Sequence, residues 1–593
     1  ILGTVTGYST TNGPENLVSK AEDGSLTIDF AANSTASTLD GWEMEVSLHE
    51  KTPFAIDEVE IDNTVAPAMR NGHDAVMQQL ALVVSGDKEP FTISGLTFST
   101  EGTTATADIA AAKVYYTGHT ALFGNDRLLG SVSAPADGEN TITFDTPLTI
   151  ADNGNHYLWL CYDVAPDAGA GNTVTARVLA VGNRATAAGE AATRTVKAGL
   201  SGEYIIGGDN ADYATIEAAL TALAEGVEGA VTFKIADGTY SENLRFGTVP
   251  GVDAVNTLTF TSLSGNRDRV TITGSGQSEN VPGSTAYYKG MVFVENTPYV
   301  TLESLTFAPD KESAYNYVVQ GYDRCHHFTL RDCHVKATPV TSGYSGINLV
   351  QMTVINEEGH NNDFVTIENN QLDGGYIALN VGGTAYLSLS MERGLVVRGN
   401  TISEAGSKGI YVNPEIEPVI ENNTIYQSQA KRTGYWGIDA NRCRGAFVIA
   451  GNKITSETEY YSGGINLRGD AYGYADAPGR VYNNAIAITK APSTSAVGIQ
   501  LEPSTHNVVI AHNSVNIEGS AGYAFYTSNS ASGAYADITL QNNLMRNATT
   551  NSPVMFVGDL WFSGVTFTNN DFYAASGNVK ADTGLDAFNA LDN

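Results

Sequence analysis

The sequence predicts an all-β chain in which an N-terminal β-sandwich region is followed by a right-handed parallel β-helix of about ten coils. Three observations predict this fold class. A short motif with a central Asn recurs at intervals of 23 to 32 residues in the second half of the chain. The 593 residues include 61 Gly and only 16% charged residues, which favours turns and short strands. Only one stretch, residues 212–226, has clear helical spacing.

Three regions are expected along the chain. Residues 1–65 are predicted to form an N-terminal β segment or partial sandwich, residues 66–200 a β-sandwich accessory domain, and residues 201–593 the β-helix. Short strands separated by Gly, Asn and Asp turns are typical of a sandwich. The strands predicted before residue 200 are Ser25–Phe30, Glu43–Leu48, Gln79–Val84, Phe91–Ser99, Ala112–Thr117, Asn140–Phe144, His156–Val164 and Thr173–Val181.

Residues 66–198 also resemble a known module. The segments that carry the resemblance are Tyr115-Tyr-Thr-Gly118, Phe123-Gly-Asn125, Ile142-Thr-Phe144 and the apolar run His156–Val164, with Gly169 and Asn172 after it. They resemble the N-terminal domain associated with BNR-repeat neuraminidases and other bacterial surface glycan proteins. The resemblance implies an accessory β-sandwich without catalytic residues. It does not imply sialidase activity, because the Ser-x-Asp-x-Gly-x-x-Trp box of the neuraminidase propeller does not occur.

The charge balance limits the partners. Lys and Arg number 32 against 65 Asp and Glu, which gives a net charge of −33. Such a surface repels nucleic acid and anionic membranes, so we expect no nucleic-acid partner. No apolar run reaches the ~18 residues of a membrane span. We expect a monomer that is extracellular or bound at the cell surface, with an export signal that is not part of this sequence.

The sequence indicates no metal site and no cofactor, although acidic pairs could hold Ca²⁺. The four cysteines are widely spread without a C-x-x-C pair, which argues against a zinc site and against a disulfide scaffold. One disulfide stays open as an alternative. His326, His327 and His334 form a sequence cluster, but no ligand set with metal spacing emerges from it.

Residues 201–208 are interpreted as a linker into the β-helix. In the predicted helix, Ile216, Leu220 and Leu223 form one stripe and Gly226 is a stop signal. The end of a solenoid exposes an apolar cross-section, so we expect this helix to cap the first coil. The predicted helix and the strand at 230–235 after it resemble the start of the β-helix in pectinesterases and other pectin-lyase-like proteins. The likeness is too widely shared to imply an activity.

The repeated motif is apolar-x-x-Asn-x-apolar. Because each unit can bury its apolar face only by stacking on a neighbour, such a period predicts a solenoid. We expect the Asn side chains to form a hydrogen-bonded ladder at a turn, where Asn also tolerates a left-handed backbone. The uneven intervals predict loops of different length at one corner of the coils, where function would lie. The central residues are Asn370, Asn400, Asn423, Asn452, Asn484, Asn513, Asn543 and Asn570.

A second motif, Gly-Ile or an equivalent pair, predicts an inward residue in each coil, and strand alternation sends the next residue outward. The outward column is predicted as Asn348, Ala378, Tyr411, Asp439, Asn466, Gln500 and Tyr526. A column two residues later is predicted as Val350, Asn380, Asn413, Asn441, Arg468, Glu502 and Ser528. Planar hydrogen-bonding groups and aromatic faces suit sugars. The predicted carbohydrate-binding residues are Tyr411, Trp436, Asp439, Asn441, Asn466, Arg468, Gln500, Glu502 and Tyr526. An ordinary polar solenoid face is the alternative interpretation.

Catalysis on this surface would use Asp439, Arg468 and Glu502. The backbones of Asp439 and Glu502 are expected about 10 Å apart, two coils along the solenoid. Their carboxyls could then approach the ~6.5–9.5 Å spacing of inverting glycosidases. A lyase would instead pair a base with an arginine that neutralises a uronate. However, the motifs of polygalacturonases and of pectate lyases do not occur in this sequence.

Two classes of function therefore stay open. The first is a secreted or cell-surface protein without catalysis, an adhesin or glycan-binding protein that uses the β-helix face. Its partners would be polysaccharides or other glycans, with host or cell-surface proteins as further candidates. The second is a polysaccharide lyase or glycoside hydrolase that acts on an acidic, plant or host polysaccharide. Fold alone does not imply activity, and the missing motifs favour the first class.

Overall fold

The computed structural model describes residues 51–63, 67–186, 190–276, 290–340, 346–354, 359–383, 391–428, 434–458, 461–491, 496–527, 535–549, 552–557, 562–576 and 580–581. Contact clustering divides the chain into Ile1–Lys51 and Thr52–Asn593. The predicted strands Ser25–Phe30 and Glu43–Leu48 lie outside the described residues. Within the described part, no helix is long and apolar enough to cross a membrane.

Two sheets form the first part of the second unit. The first sheet is antiparallel, with the spatial order Ala55–Asp62, Ala75–Ser85, Gly154–Val164, Ile109–Tyr116 and Leu128–Ser133. The second has the order Ala68–Met69, Ala192–Lys197, Thr173–Val181, Phe91–Ser99 and Glu139–Ile150, and Arg184–Ala185 pairs with Thr173–Val181. A 3-10 turn, Thr106–Asp108, precedes the strand Ile109–Tyr116.

One shared core lies between these sheets. It includes Leu80 and Leu160 from the first sheet and Phe98 and Val178 from the second, all buried. Tyr162, from the apolar run, donates its hydroxyl hydrogen bond to the Thr175 carbonyl across the core. Burial of alternate side chains from both sheets is what holds a sandwich together. Within the described residues, each predicted strand in this region overlaps an observed one.

The rest of the unit is a right-handed β-solenoid of about eleven turns. The first solenoid sheet contains Leu200–Ile206, Val227–Ile235, Leu258–Ser262, Val300–Glu303, Thr329–Arg331, Thr366–Glu368, Val396–Arg398, Val419–Glu421, Val448–Ala450, Gly479–Tyr482, His506–Ala511, Tyr535–Gln541, Phe562–Ser563 and Thr566–Thr568. The second contains Gly238–Tyr240, Val270–Ile272, Thr306–Phe307, His334–Pro339, Gln371–Gly375, Thr401–Ser403, Thr424–Gln427, Lys453–Ser456, Ala485–Ala491, Ser514–Gly519, Leu544–Asn547 and Asp571–Ala574.

The third solenoid sheet contains Leu244–Phe246, Gly290–Glu295, Tyr317–Tyr322, Asn348–Thr353, Ile377–Val381, Lys408–Val412, Tyr435–Asn441, Ser462–Arg468, Ala496–Leu501, Gly522–Thr527, Met555–Val557 and Lys580–Ala581. A short extra sheet pairs Glu392–Arg393, Glu415–Ile416 and Cys443–Arg444, and 3-10 turns span Arg267–Arg269 and Glu312–Ala314. Every strand pairing in the described part of the solenoid is parallel, and the inward side chains merge into one continuous core. Stacking of apolar faces between coils therefore stabilises the whole length.

The predicted helix caps the solenoid, but the predicted linker is wrong. The helix spans Ile216–Leu223, with Thr215 as N-cap accepting from the Ala218 N–H. Its buried residues Ile216 and Leu223 belong to the solenoid core. The segment interpreted as a linker instead forms the strand Leu200–Ile206, which pairs in parallel with Val227–Ile235. Its terminal Ile206 is fully buried, so this strand supplies the first apolar layer.

The Asn ladder is confirmed from Asn370 to Asn570. At a typical rung, the backbone N–H and the Nδ2 of Asn423 both donate to Asn452 Oδ1 at 3.0 Å, and Asn423 Nδ2 also donates to the Val397 carbonyl. One detail of the prediction is wrong. The left-handed backbone belongs to the residue before each ladder Asn, such as Asn422 with φ 56°. An Asn without the left-handed backbone can turn its amide inward along the stack, where its Nδ2 donates to a strand carbonyl of the preceding coil, such as that of Val397.

The sandwich contacts the beginning of the solenoid through charged and polar groups. Arg70 donates two hydrogen bonds to Glu228, at 2.6 and 2.9 Å, and Asn71 Nδ2 donates to the Glu228 carbonyl. Further along, Arg324 donates to the Phe123 carbonyl at 3.2 Å. A bidentate arginine–carboxylate pair restricts the relative orientation of its two groups as well as their distance, so the Arg70–Glu228 pair orients the two segments that carry them.

Candidate functional site

The parallel register of the third solenoid sheet aligns five of the predicted residues. Tyr411 pairs with Asp439, Asp439 with Asn466, Asn466 with Gln500, and Gln500 with Tyr526. Neighbouring strands lie about 4.8 Å apart, so consecutive side chains of this column are in contact range. In the column two residues later, Asn441 pairs with Arg468.

The register differs from the prediction in the preceding coils. Tyr411 pairs with Asn380, and Asn380 pairs with Gln351, whereas the predicted members of this column were Ala378 and Asn348. Relative to the prediction, the aligned residue is two positions later in Ile377–Val381 and three positions later in Asn348–Thr353. Just before Ile377–Val381, Gly374 and Gly375 end the preceding strand with left-handed φ values of 80° and 69°.

The aligned polar side chains are covered rather than exposed. Asp439 is 1% exposed and Asn466 3%, and Asn441 and Gln500 are also buried. Arg468, by contrast, keeps 30% of its side-chain surface accessible. Polar groups at this depth need hydrogen-bond partners, because an unpaired buried polar group costs ~1–3 kcal/mol. The site is thus a buried polar layer beneath a more accessible outer set of side chains.

Asp439 is the centre of the buried layer. Its Oδ1 accepts from Arg468 Nε at 2.9 Å and from Asn466 Nδ2 at 3.1 Å, while its Oδ2 forms an ion pair with Lys408 Nζ. Lys408 lies one coil before Asp439 and was not among the predicted site residues. Alternation from the inward Ile410 would place Lys408 on the inward side, so the sequence pattern gave no signal for this contact. Three donors around one buried carboxylate fix the position of each donor.

Tyr411 lies between the two cations of this cluster. Arg468 Nη2 donates to the Tyr411 hydroxyl at 2.8 Å, and Asn441 also hydrogen-bonds that hydroxyl. Lys408 Nζ lies 3.8 Å from the ring centroid, and the Arg468 guanidinium carbon lies 5.4 Å from it. Burial raises the pKa of Tyr411. The phenol therefore stays neutral and binds both cations through its ring face.

In two further groups of the cluster, Glu502 and Lys408, the pKa is shifted towards the neutral form. Burial raises the pKa of Glu502, although Arg468 opposes this shift, and Asn466 hydrogen-bonds the Glu502 carboxyl. Burial lowers the pKa of Lys408, although Asp439 opposes it. Asn466 thus hydrogen-bonds both carboxyls, Asp439 and Glu502. Shifts of this kind, away from the ordinary charged forms, are common where proton transfer or ligand binding occurs.

One buried acceptor in this cluster lacks a partner. The Oδ1 of Asn466 accepts no hydrogen bond within the part of the chain that the structure describes, although its atom is covered. The same side chain's Nδ2 donates to Asp439. Buried amide oxygens are paired in the great majority of cases, so an unpaired one next to an accessible arginine points to a missing donor.

Aromatic residues flank the cluster on the later coils. The Trp436 ring contacts Tyr461 edge-on, with the ring centroids 5.9 Å apart, and Tyr461 donates to Gln500 at 3.4 Å. Trp436 covers Gly463, where an added Cβ would lie 2.0 Å from the indole. Tyr526 ends the column beside Tyr523, with a centroid distance of 5.5 Å. Trp436 is itself buried, so the accessible rings at this end are Tyr461 and Tyr526.

Two stretches of the chain match family models. Residues 56–185 match the N-terminal domain of BNR-repeat neuraminidase, which confirms the resemblance expected for this region. Residues 389–587 match the right-handed β-helix region, a stretch that includes the Tyr411–Tyr526 column. No curated protein sequence matches the chain.

Among solved structures, the GH136 lacto-N-biosidase of Eubacterium ramulus is 13% identical, with 63% of this chain and 67% of that chain covered and a TM-score of 0.40. The GH87 α-1,3-glucanase catalytic unit of Streptomyces thermodiastaticus is 14% identical, with coverages of 90% and 97% and a TM-score of 0.35. A mannuronic acid specific family 6 lyase from human gut microbiota is 14% identical, with coverages of 66% and 93% and a TM-score of 0.35. At these TM-scores and identities, the similarity is not evidence for the activity of this chain.

Proposed function

We propose that this chain is a glycan-binding protein of the cell exterior, and that it binds a polysaccharide on the third solenoid sheet at the Asp439 cluster. The observation that carries the proposal is the buried, unpaired Oδ1 of Asn466. A sugar hydroxyl is a suitable donor for it, because it donates one hydrogen bond and accepts others from the neighbouring side chains.

The proposed ligand contacts are divided between two layers. Arg468 and Glu502 lie over the buried layer, partly accessible, and both can hydrogen-bond hydroxyl groups. The Tyr461 and Tyr526 rings offer apolar faces on which a pyranose can stack. Asp439 holds Arg468 in place through the Nε hydrogen bond. The described bonds use two of the five N–H groups of Arg468, so the guanidinium retains donors for a ligand.

Cleavage of the bound glycan is the second candidate, and the shifted pKa values favour it. A Glu502 carboxyl with a raised pKa is suited to donate a proton to a leaving oxygen. Asp439 is poorly placed to be the second carboxylate of an inverting hydrolase, because both of its oxygens are already engaged by cationic or amide donors. Asp439 is proposed instead as the group that positions Arg468.

A glycan array followed by product analysis of the bound polysaccharides tests the proposal. Wild type should bind at least one polysaccharide and leave its chain length unchanged. Arg468→Ala should weaken that binding by about tenfold or more, because a hydrogen bond to a charged group contributes ~1.5–3 kcal/mol. Arg546→Ala is the matched control, since Arg546 pairs with Glu518 and lies over Tyr573 on another sheet.

Different results overturn different parts of the proposal. Equal binding by wild type and Arg468→Ala would exclude this face as the binding site. New reducing ends or unsaturated ends in the wild-type products would replace the binding function with hydrolysis or elimination. In that case Glu502→Gln should stop cleavage and Glu518→Gln should not.

A further inference from the structure

The sandwich carries a cluster of two histidines and one aspartate that is remote in sequence from the solenoid face. His119 lies in the loop after the strand Ile109–Tyr116. Asp152 lies in the connection from Glu139–Ile150 to Gly154–Val164, which belong to different sheets, and His156 lies near the start of Gly154–Val164. His119 Nε2 lies 2.8 Å from Asp152 Oδ2, and His156 Nε2 lies 3.7 Å from Asp152 Oδ1. One ligand atom from each residue lies within 4.8 Å of the others.

The second nitrogen of each imidazole is held by a neighbour. His119 Nδ1 lies 2.8 Å from the Asn155 carbonyl, and His156 Nδ1 lies 2.7 Å from the Tyr116 hydroxyl. The carbonyl can only accept, so His119 donates from Nδ1 and its Nε2 faces the carboxylate. Metal-binding histidines commonly have this second contact, since it fixes both the tautomer and the orientation of the ring. His156 Nε2 donates to the Asp152 backbone carbonyl at 3.1 Å, a bond that coordination of an ion would replace.

The Nε2 atom of His119 faces Asp152 Oδ2 at 2.8 Å, while its Nδ1 is turned to the Asn155 carbonyl. An imidazole nitrogen and a carboxylate oxygen at this separation can share a cation, either a proton or a metal ion. The His156 ring lies beside that of His119, with the centroids 4.4 Å apart, and brings a second imidazole nitrogen to the same carboxylate.

The backbone around His119 is well anchored. The Thr117 N–H donates to the Tyr157 carbonyl, and the Tyr157 N–H donates to the Gly118 carbonyl at 2.8 Å. The Thr117 hydroxyl donates to the Thr120 carbonyl and accepts from Trp159 Nε1. His119 is therefore held next to the hairpin before any ion binds. A preformed site loses less conformational entropy on binding than a flexible loop would.

We propose that His119, Asp152 and His156 bind a divalent transition-metal ion of the zinc class. The ion links the loop that contains His119 to the segment that contains Asp152 and His156. Two imidazoles and one carboxylate suit Zn²⁺, whereas Ca²⁺ prefers oxygen ligands only. In a tetrahedral site with bonds of ~2.0–2.2 Å the ligand atoms lie about 3.3 Å apart. The two Nε2 atoms lie 2.8 and 3.7 Å from different oxygens of Asp152, and one ligand atom of each residue lies within 4.8 Å of the others. Side-chain rotations are therefore needed to bring three ligand atoms to the spacing of a metal site.

Calorimetric titration of ZnCl₂ into the full chain, prepared without a histidine tag and treated with EDTA, tests this site. Wild type should bind one Zn²⁺ per chain. His119→Ala and Asp152→Asn should each weaken binding by about tenfold or more, as should Tyr116→Phe, which removes the contact to His156 Nδ1. Because His119 is largely exposed, its replacement should leave the fold intact.

The matched control is His334→Ala. His334 forms a comparable ion pair with Asp373 at 2.8 Å, but among the residues that the structure describes no second histidine shares that carboxylate. Its loss should leave zinc affinity unchanged. Zinc should also raise the melting temperature of wild type and not that of His119→Ala. Absence of a one-to-one zinc site, equal affinity in wild type and His119→Ala, or binding of CaCl₂ but not of ZnCl₂ would each overturn the proposal.

Discussion

Replacement of Asn452 by Ala is expected to destabilise the solenoid by about 3–5 kcal/mol. The Asn452 side chain donates to the Ile420 carbonyl at 2.9 Å and to Asn484 Oδ1 at 3.0 Å, and it accepts the backbone and side-chain N–H groups of Asn423. Without it, three buried groups lose a partner, since Asn484 keeps the bond from the backbone N–H of residue 452. At ~1–3 kcal/mol for each buried unpaired group, three groups give ~3–9 kcal/mol. The lower part of this range is expected because Asn423 Nδ2 keeps its bond to the Val397 carbonyl, and even that exceeds the effect of most single substitutions.

Guanidinium unfolding followed by far-UV circular dichroism measures this loss. Asn570→Ala removes similar bonds, to Asn543 and the Leu540 carbonyl, but Asn570 is only half-buried. Water can then replace its bonds, so we expect a smaller loss of ~1–2 kcal/mol. Lys453→Ala, on the exposed neighbour of Asn452, should change stability by less than ~0.5 kcal/mol. A loss for Asn452→Ala as small as that of Lys453→Ala would refute the view that the ladder stabilises the coils.

Three further predictions concern other buried groups. Burial raises the pKa of Glu392 to about 8, above its unfolded value, so its contribution is complete at low pH and is lost as pH rises towards 8. Glu392→Gln should therefore flatten the fall in stability between about pH 5 and 8, and an unchanged slope would contradict this origin. Gly463→Ala should lower the melting temperature in calorimetry, because the new Cβ overlaps the Trp436 ring, and an unaltered melting temperature would contradict that packing. The four cysteines are buried without disulfides, and burial raises the pKa of Cys325 to about 12. A thiol reagent should therefore detect four thiols after denaturation and almost none before, and fast labelling of the native chain would contradict this.

Much of the fold could be predicted from the sequence because it depends on local periodicity. The strands Phe91–Ser99 and Thr173–Val181 have the predicted bounds, since each is a continuous β-rich run between turn residues. The helix is shorter than predicted, Ile216–Leu223, because its predicted ends are polar turn residues that gain little from packing. The interpretation of residues 201–208 as a linker was wrong. The Gly residues of this segment are typical of linkers, and the sequence does not show the neighbouring strand with which the segment pairs.

The site could be predicted only in outline. Alternation within a strand brought Tyr411, Asp439 and Asn466 into one column without knowledge of the structure. It could not show that Lys408 forms an ion pair with Asp439, because that contact joins different coils through side chains that leave no periodic signal. Nor could it show that the polar column is covered. Cover of Asp439 comes from side chains of neighbouring coils, such as Lys408 and Arg468.

The right-handed solenoid that follows the sandwich was determined by the sequence alone, because a repeat such as that from Asn370 to Asn570 can bury its apolar residues only by stacking. Only the tertiary structure decided which side chains share a column, which carboxyl is buried, and which histidines meet. Those outcomes depend on turn lengths and on contacts between segments far apart in the chain. An example is the proximity of His119 to Asp152 and His156, which lie in a different segment of the sandwich. The periodicity of the sequence determines how the strands stack. The geometry of a site depends on distances between side chains that come from different segments of the chain.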